Sequence, residues 1–113
     1  MSRHTQAVAT ARSTTLRQER AYLQARVYQG DSLAIMLRFG QPQLEGLEIR
    51  KLARWVPYIG AVKAARILIG LPERSKLSEL TTEQRDLFTR RIDNAERRIL
   101  NNRTIPYHEE EEA

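Results

Sequence analysis

The sequence predicts an all-α protein, and three observations predict it. Apolar residues recur at spacings of three, four and seven through most of the chain, which is the helical period. Glycine and proline gather in short clusters between those stretches, at Gly30, Gly40-Gln41-Pro42, Pro57 to Gly60 and Gly70-Leu71-Pro72, where helices stop and restart. Polar residues suited to helix starts follow two of these breaks, Asp31-Ser32 and Thr81-Thr82.

From Met1 to Thr15 the chain is rich in Ala, Ser, Thr and Gln and carries Arg3 and Arg12 but few large apolar residues, the composition of a mobile basic arm over 1–15. A helix is expected from Leu16, with Leu16, Leu23 and Val27 on one stripe and Arg17, Arg20 and Arg26 on its flanks, ending at Gln29-Gly30. Those arginines face either solvent or a polyanion. Gly30 ends this helix, and Asp31 or Ser32 can accept an N–H from the first turn of the next. That second helix is short: Leu33, Met36 and Leu37 make its buried stripe, Phe39 joins the core at its end, and Gly40-Gln41-Pro42 closes it.

Leu44, Leu47, Leu52, Trp55 and Val56 then describe a third helix, with Glu45, Glu48, Arg50, Lys51 and Arg54 on its wetter side. Trp55 is the only tryptophan, and its place beside an apolar hairpin predicts a core role. Pro57 removes a backbone donor and steers the residue before it out of helical geometry, so this helix should stop near Val56. Gly60 can take a positive φ at no steric cost, which lets the backbone reverse and start a helix over Ala61 to Ile69. A helix that begins at a glycine presents unpaired N–H groups and the positive end of its dipole, and Lys63 in its first turn adds a full charge. Such an end suits a phosphate oxygen.

Gly70 and Pro72 end the second hairpin helix. In the polar segment Glu73 to Leu80, Leu77 and Leu80 pin a loop or turn to the core and leave Arg74 and Lys76 pointing outward. Thr81 or Thr82 caps the last helix, and Thr81 with Gln84 fits the capping-box spacing. Phe88, Ile92, Ala95 and Ile99 form its apolar stripe, widened by Leu87. Arg85, Arg90, Arg91, Arg97, Arg98 and Arg103 outnumber Asp86, Asp93 and Glu96 on the other faces, several at i, i+3 or i+4 spacing for ion pairs. This helix should fade at Asn101-Asn102, and an acidic, disordered tail is expected over 104–113, either solubilising or competing for the basic surface.

The charge balance narrows the partner. There are 19 Lys and Arg against 14 Asp and Glu, and four of the acids are the run Glu109 to Glu112, so the rest holds 19 against 10, a formal +9. Arginine outnumbers lysine sixteen to three, and its planar fork is the better ligand for phosphate. Such a surface favours a polyanion, with nucleic acid ahead of a membrane. The absence of cysteine excludes disulfides and thiolate metal sites, and His4 and His108 lie at opposite ends, so no His-based metal or catalytic site is expected. Nothing resembles a signal-peptide core or a membrane span, which predicts a soluble cytoplasmic protein.

Several strings carry a resemblance that covers roughly Arg26 to Ile92. They are Gln29-Gly30-Asp31-Ser32-Leu33, Val56-Pro57-Tyr58-Ile59-Gly60-Ala61-Val62-Lys63-Ala64, and Leu77-Ser78-Glu79-Leu80 through Glu83-Gln84-Arg85. In these the chain resembles the actinobacterial integration host factor family of nucleoid-associated proteins. A proline, two residues, a glycine, two residues and Lys-Ala mark that family's hairpin, and Pro57, Gly60, Lys63 and Ala64 fill those places. The resemblance implies a long N-terminal helix, then a helix-hairpin-helix domain related to the helix-two-turn-helix of a small-subunit ribosomal protein, with a long C-terminal helix here, over 16–103. It also implies sequence-tolerant binding, bending and compaction of duplex DNA, a monomer in solution, and assistance to a recombinase in site-specific recombination. Two departures stand out. The family's arginine-rich run after the hairpin is reduced here to Arg74, Ser75, Lys76 and Ser78, and a second glycine usual in DNA-repair hairpins is replaced by Tyr58.

The expected contacts are Tyr58, Ile59, Gly60, Ala61, Val62, Lys63 and Arg66 at the hairpin, Arg74 and Lys76 on the loop, and Arg12 and Arg17 at the N-terminus. An RNA- or ribosome-associated module and a protein-interaction domain are the alternatives. No glycine-rich nucleotide loop, nucleophile with a matched base, or set of carboxylates at metal-binding spacing points to an enzyme or a cofactor.

Overall fold

A computed structural model describes the backbone of residues 2–112 and the side chains of residues 14–100. Five α-helices follow one another: α1 Ser2–Gln29, α2 Leu33–Phe39, α3 Ile49–Ala53, α4 Gly60–Ile67 and α5 Thr82–Glu112. Among the described residues there is no β-strand beyond one isolated bridge, so the protein is all-α. The basic arm expected over 1–15, apart from its last two residues, lies outside the described side chains. So do Arg12 and the side chains of the acidic tail, while the helix expected to fade at Asn101-Asn102 runs on as α5 to Glu112.

The chain turns where its local chemistry demands. After α1, Gly30 N donates to Val27 O at 3.1 Å and Asp31 N to Arg26 O at 2.9 Å. Ser32 opens α2, its hydroxyl accepting from Ile35 N at 3.2 Å. A second cap comes from far along the chain. The Glu96 carboxylate of α5 accepts Leu33 N at 2.9 Å, Ala34 N at 3.0 Å and the Ser32 hydroxyl at 3.0 Å. Leu33 and Ala34 are wholly buried, so without that carboxylate two amides would be desolvated and unpaired. At the start of α5 the expected capping box is present: Thr81 N donates to Gln84 Oε1 at 3.0 Å, and Gln84 N to Thr81 Oγ1 at 3.1 Å.

The third helix is shorter than its apolar spacing predicts. Pro42–Leu44 forms a 3-10 turn, and residues 45–48 leave the helical path before α3 begins at Ile49. The reason is a pairing with a remote segment. Ser78 N donates to Glu45 O at 3.0 Å, Leu77 N to Leu47 O at 2.9 Å, Ile49 N to Ser75 O at 3.0 Å and Arg50 N to Glu73 O at 3.0 Å. These bonds give the backbone what a helix would have given it, and Leu44, Leu47 and Leu77 still turn toward the core. Arg85 of α5 clamps the same region with a forked contact to Glu45, at 2.9 and 2.7 Å.

The core sits between all five helices, with Ile49, Leu52 and Ala53 of α3 wholly buried in it. Leu23 and Val27 come from α1, Leu33 and Leu37 from α2, and Phe88 and Ile92 from α5, all buried. Truncating the wholly buried Phe88 to alanine would cost about 3–5 kcal/mol. Trp55 is buried as expected. Phe39 is not: at 83% exposure it points away from the core, because it lies one turn after the exposed Ile35 on the outer face of α2, away from Leu33, Met36 and Leu37.

Candidate nucleic-acid interface

The hairpin between α3 and α4 is held from inside and open outside. Arg54 N and Trp55 N close α3 onto Lys51 O and Leu52 O at 3.2 and 2.9 Å. Trp55, Val56 and Ile59 then bury their side chains, as do Ala64 and Ile67 one and two turns into α4. Gly60 adopts φ +72°, the left-handed geometry that reverses the chain into α4. Tyr58 adopts φ +62°, among the described residues the one positive φ outside glycine. That is where DNA-repair hairpins carry their second glycine, and the tyrosine meets the same backbone demand at some steric cost. Its ring lies 6.4 Å from that of Tyr28 on α1, a tilted aromatic pair.

Outward, the tip and first turn of α4 expose Tyr58, Gly60, Ala61, Val62 and Lys63, with Arg66 one turn further on. Ile59 contributes only backbone, since its side chain is buried. The start of α4 has no side-chain cap. Side chains cap α2, through Ser32 and Glu96, and α5, through Thr81 and Gln84, while α3, which also has no side-chain cap, gives its first amides to the backbone carbonyls of Ser75 and Glu73. The dipole end at Gly60 is therefore turned to solvent with Lys63 beside it.

Between the hairpin and α1 runs a groove of ≈ 800 Å³, lined on one wall by Ala21, Gln24 and Tyr28 and on the other by Arg54, Tyr58 and Gly60. Arg17 occupies the position one turn before Ala21 on the same helical face, so α1 carries a cation toward the far end of that groove. The other two α1 arginines with described side chains, Arg20 and Arg26, serve the fold. Arg20 donates to Gln43 O at 2.8 Å, and Arg26 pairs with Asp31 at 2.6 Å while lying over the Tyr22 ring. The hydrogen bond it donates to Asp31 raises the pKa of Arg26.

Arg74 and Lys76 are exposed, as expected, but they do not join the hairpin tip. The segment that carries them pairs with residues 45–50 and lies at the beginning of α3, whereas the hairpin leaves from its end, about 7.5 Å away for five residues of helix. Around them Glu48 gathers several cations. Its carboxyl is held below the usual carboxylate range by the hydrogen bond from Arg50, and then by the charges of Arg50, Lys51 and Arg74.

Three cations that sequence spacing did not single out complete the hairpin side. Arg54 lines the groove, and Arg91 and Arg98 of α5 line a cleft beside Lys63 and Arg66. Arg54 was legible only as a wet position before Pro57. The spacing of Arg91 and Arg98, seven apart along one edge of the Phe88–Ile99 stripe, was the available signal for the other two. Among the described residues none of these five cations forms a salt bridge, whereas Arg85, Arg90 and Arg97 pair with Glu45, Asp86 and Asp93.

Among the described residues no helix is long and apolar enough to cross a membrane. A comparison with known proteins finds no matching family model, no matching curated protein and no matching solved structure.

Proposed function

We propose that this chain binds duplex DNA through its sugar-phosphate backbone, with little preference for sequence, using the α3–α4 hairpin as its grip. On this reading residues 49–67 form a helix-hairpin-helix of the helix-two-turn-helix kind. The observation that carries it is the uncapped, glycine-led start of α4, exposed beside Lys63 when the neighbouring helix starts are each occupied by a carboxylate, hydroxyl or carbonyl. Amides of Ile59 to Val62 and the Lys63 ammonium hold one phosphate, and Arg54, Arg66 and Arg17 extend the contact on either side. Arg74 and Lys76 form a separate basic point on the far side of α3.

The resemblance to integration host factors extends this reading to bending or compaction of DNA, to a nucleoid location and to complexes shared with a recombinase. A protein partner is the second reading, favoured by Ile35 and Phe39, which stand exposed one turn apart on α2.

Binding to a short duplex across a salt series tests the proposal, with Gly60→Asp and Lys63→Glu as probes. Both variants should remain helical by circular dichroism and bind at least tenfold more weakly, because each places an acid at the phosphate seat. Unchanged affinity in both would refute the hairpin grip. Preference for a structured RNA competitor would redirect it to the ribosome-associated class.

A further inference from the structure

We propose that the cleft between α4 and α5 seats a second backbone phosphate of the bound duplex, carrying the DNA path from the hairpin tip onto α5. This rests on the backbone-binding reading above. The cleft measures ≈ 220 Å³ and is walled by Lys63 and Arg66 from α4 and by Arg91, Asn94 and Arg98 from α5. Four cations share it with no carboxylate. Liquid water occupies about 30 Å³ per molecule, so a phosphate group fits with a few waters beside it.

The placement of charge along α5 gives the cleft its meaning. Residues 86, 90, 93 and 97 follow one edge of the helix, and there each arginine meets an acid: Arg90 with Asp86 at 3.7 Å and Arg97 with Asp93 at 3.2 Å. Residues 91, 94 and 98 follow another edge at helical spacing, and there no acid occurs. Four like charges facing one another over an apolar floor of Ile59, Ile67 and Ala95 repel unless an anion joins them. Arg91 is already fixed in place. Its Nη1 donates to Ile67 O at 2.9 Å and also to Ile69 O, the open carbonyls at the end of α4. The rest of its guanidinium remains available, in a geometry that needs no ordering on binding. Lys63 belongs to both the hairpin tip and the cleft wall, so the two phosphate seats are neighbours on one path.

Arg97 and Arg98 make the test, since they are adjacent, exposed and equal in charge but lie on the two different edges. Affinity of the full chain for a short duplex is measured over a salt series for Arg97→Ala, Arg98→Ala, Arg98→Lys and Gly60→Asp. Loss of Arg98 should weaken binding about fivefold near ~0.15 M salt and reduce the salt slope by about 0.9, the value of one phosphate contact. Arg98→Lys should keep most of that slope, and Arg97→Ala should bind within about twofold of the parent. Equal losses for Arg97→Ala and Arg98→Ala would reduce the cleft to general charge and overturn the proposal. No loss at Arg98 with a clear loss at Gly60→Asp would overturn it while leaving the hairpin grip intact. The reverse pattern would keep the cleft and remove the hairpin, and a parent that does not bind duplex would remove both.

Discussion

The two ends of the helical core treat their charges in opposite ways. Around α2 and the neighbouring edge of α5, charges are spent on the protein itself: Glu96 caps α2, Asp93 meets Arg38 and Arg97, and Arg85 clamps Glu45. Around α4 the helix start is uncapped, and Lys63, Arg66 and Arg98 have no acid partner. Both regions draw on the same few residue types, so composition does not separate them. What separates them is whether the complementary group is supplied by the chain. Among the described residues no carboxylate faces the cations beside α4, so the group that would complement them there is an anion.

That contrast can be broken from either side. The largest effect is expected on the self-satisfied side. Glu96→Ala strands two wholly buried amides and should lower unfolding free energy by about 3 kcal/mol in urea denaturation, while the folded variant keeps its affinity for duplex DNA. An unchanged stability would show that water replaces the carboxylate and that the cap matters little.

On the open side the expectation reverses. Lys63→Glu should leave unfolding free energy within about 0.5 kcal/mol of the parent, as a surface change. It should weaken duplex binding about 30-fold, two phosphate contacts' worth of charge, near ~0.15 M salt. A comparable loss of stability would mean that Lys63 serves the fold after all.

Smaller effects sharpen the boundary between the two regions. Arg85→Ala removes a forked pair that is about one-third exposed, so solvent screening limits the loss to about 1 kcal/mol, again with DNA affinity retained. Its removal should show first as faster hydrogen exchange at Leu77 and Ser78, whose amides bond the segment that Glu45 anchors. The smallest effect belongs to Glu48. Its carboxyl is held low by Arg50, so its contribution is present above the unfolded pKa, near ~4.3, and is lost as pH falls through the lower folded value. Thermal melts of the parent and Glu48→Gln should therefore differ slightly at neutral pH and converge once pH has fallen below the lowered folded value. A gap that persists in acid would assign the difference to something other than ionisation.

Much of the fold was legible because it is written locally. Gly30 with Ser32, Gly60, and Thr81 with Gln84 mark helix ends by short-range chemistry, and each does what its type and spacing predict. The third helix was overdrawn because Leu44, Leu47 and Leu52 keep helical spacing whether or not the backbone is helical. Only the remote partner at 73–78 decides, and periodicity does not carry that information. Glu96 is a similar case. Its neighbours Asp93 and Arg97 suggest a surface pair, whereas its carboxylate reaches across 63 positions to Leu33. Phe39 reads as core by hydrophobicity and sits outside because helical phase places it with Ile35 on the outer face of α2.

For the candidate interface, the hairpin residues were legible and the arrangement of its surroundings was not. Gly60 and Lys63 announce an exposed helix start from the sequence, and Tyr58 stands in left-handed geometry where a glycine would be easier. Arg74 and Lys76, close in sequence to the hairpin, are carried to the other end of α3 by backbone pairing. Arg91 and Arg98, distant in sequence, are brought beside Lys63 by the packing of α5. Sequence spacing marks Arg74 and Lys76 as a second contact point, which stands apart from the hairpin tip, and it does not show that Arg91 and Arg98 pack beside Lys63.

The most direct measurement is the salt dependence of binding to a duplex of arbitrary sequence by the full chain. If Arg17, Arg54, Lys63, Arg66 and Arg98 each make one phosphate contact, log K should fall with log salt at a slope of about −4.5, and a second duplex of unrelated sequence should give the same line. A slope shallower than about −1, or affinities that differ widely between the two duplexes, would contradict a backbone grip by the acid-free face.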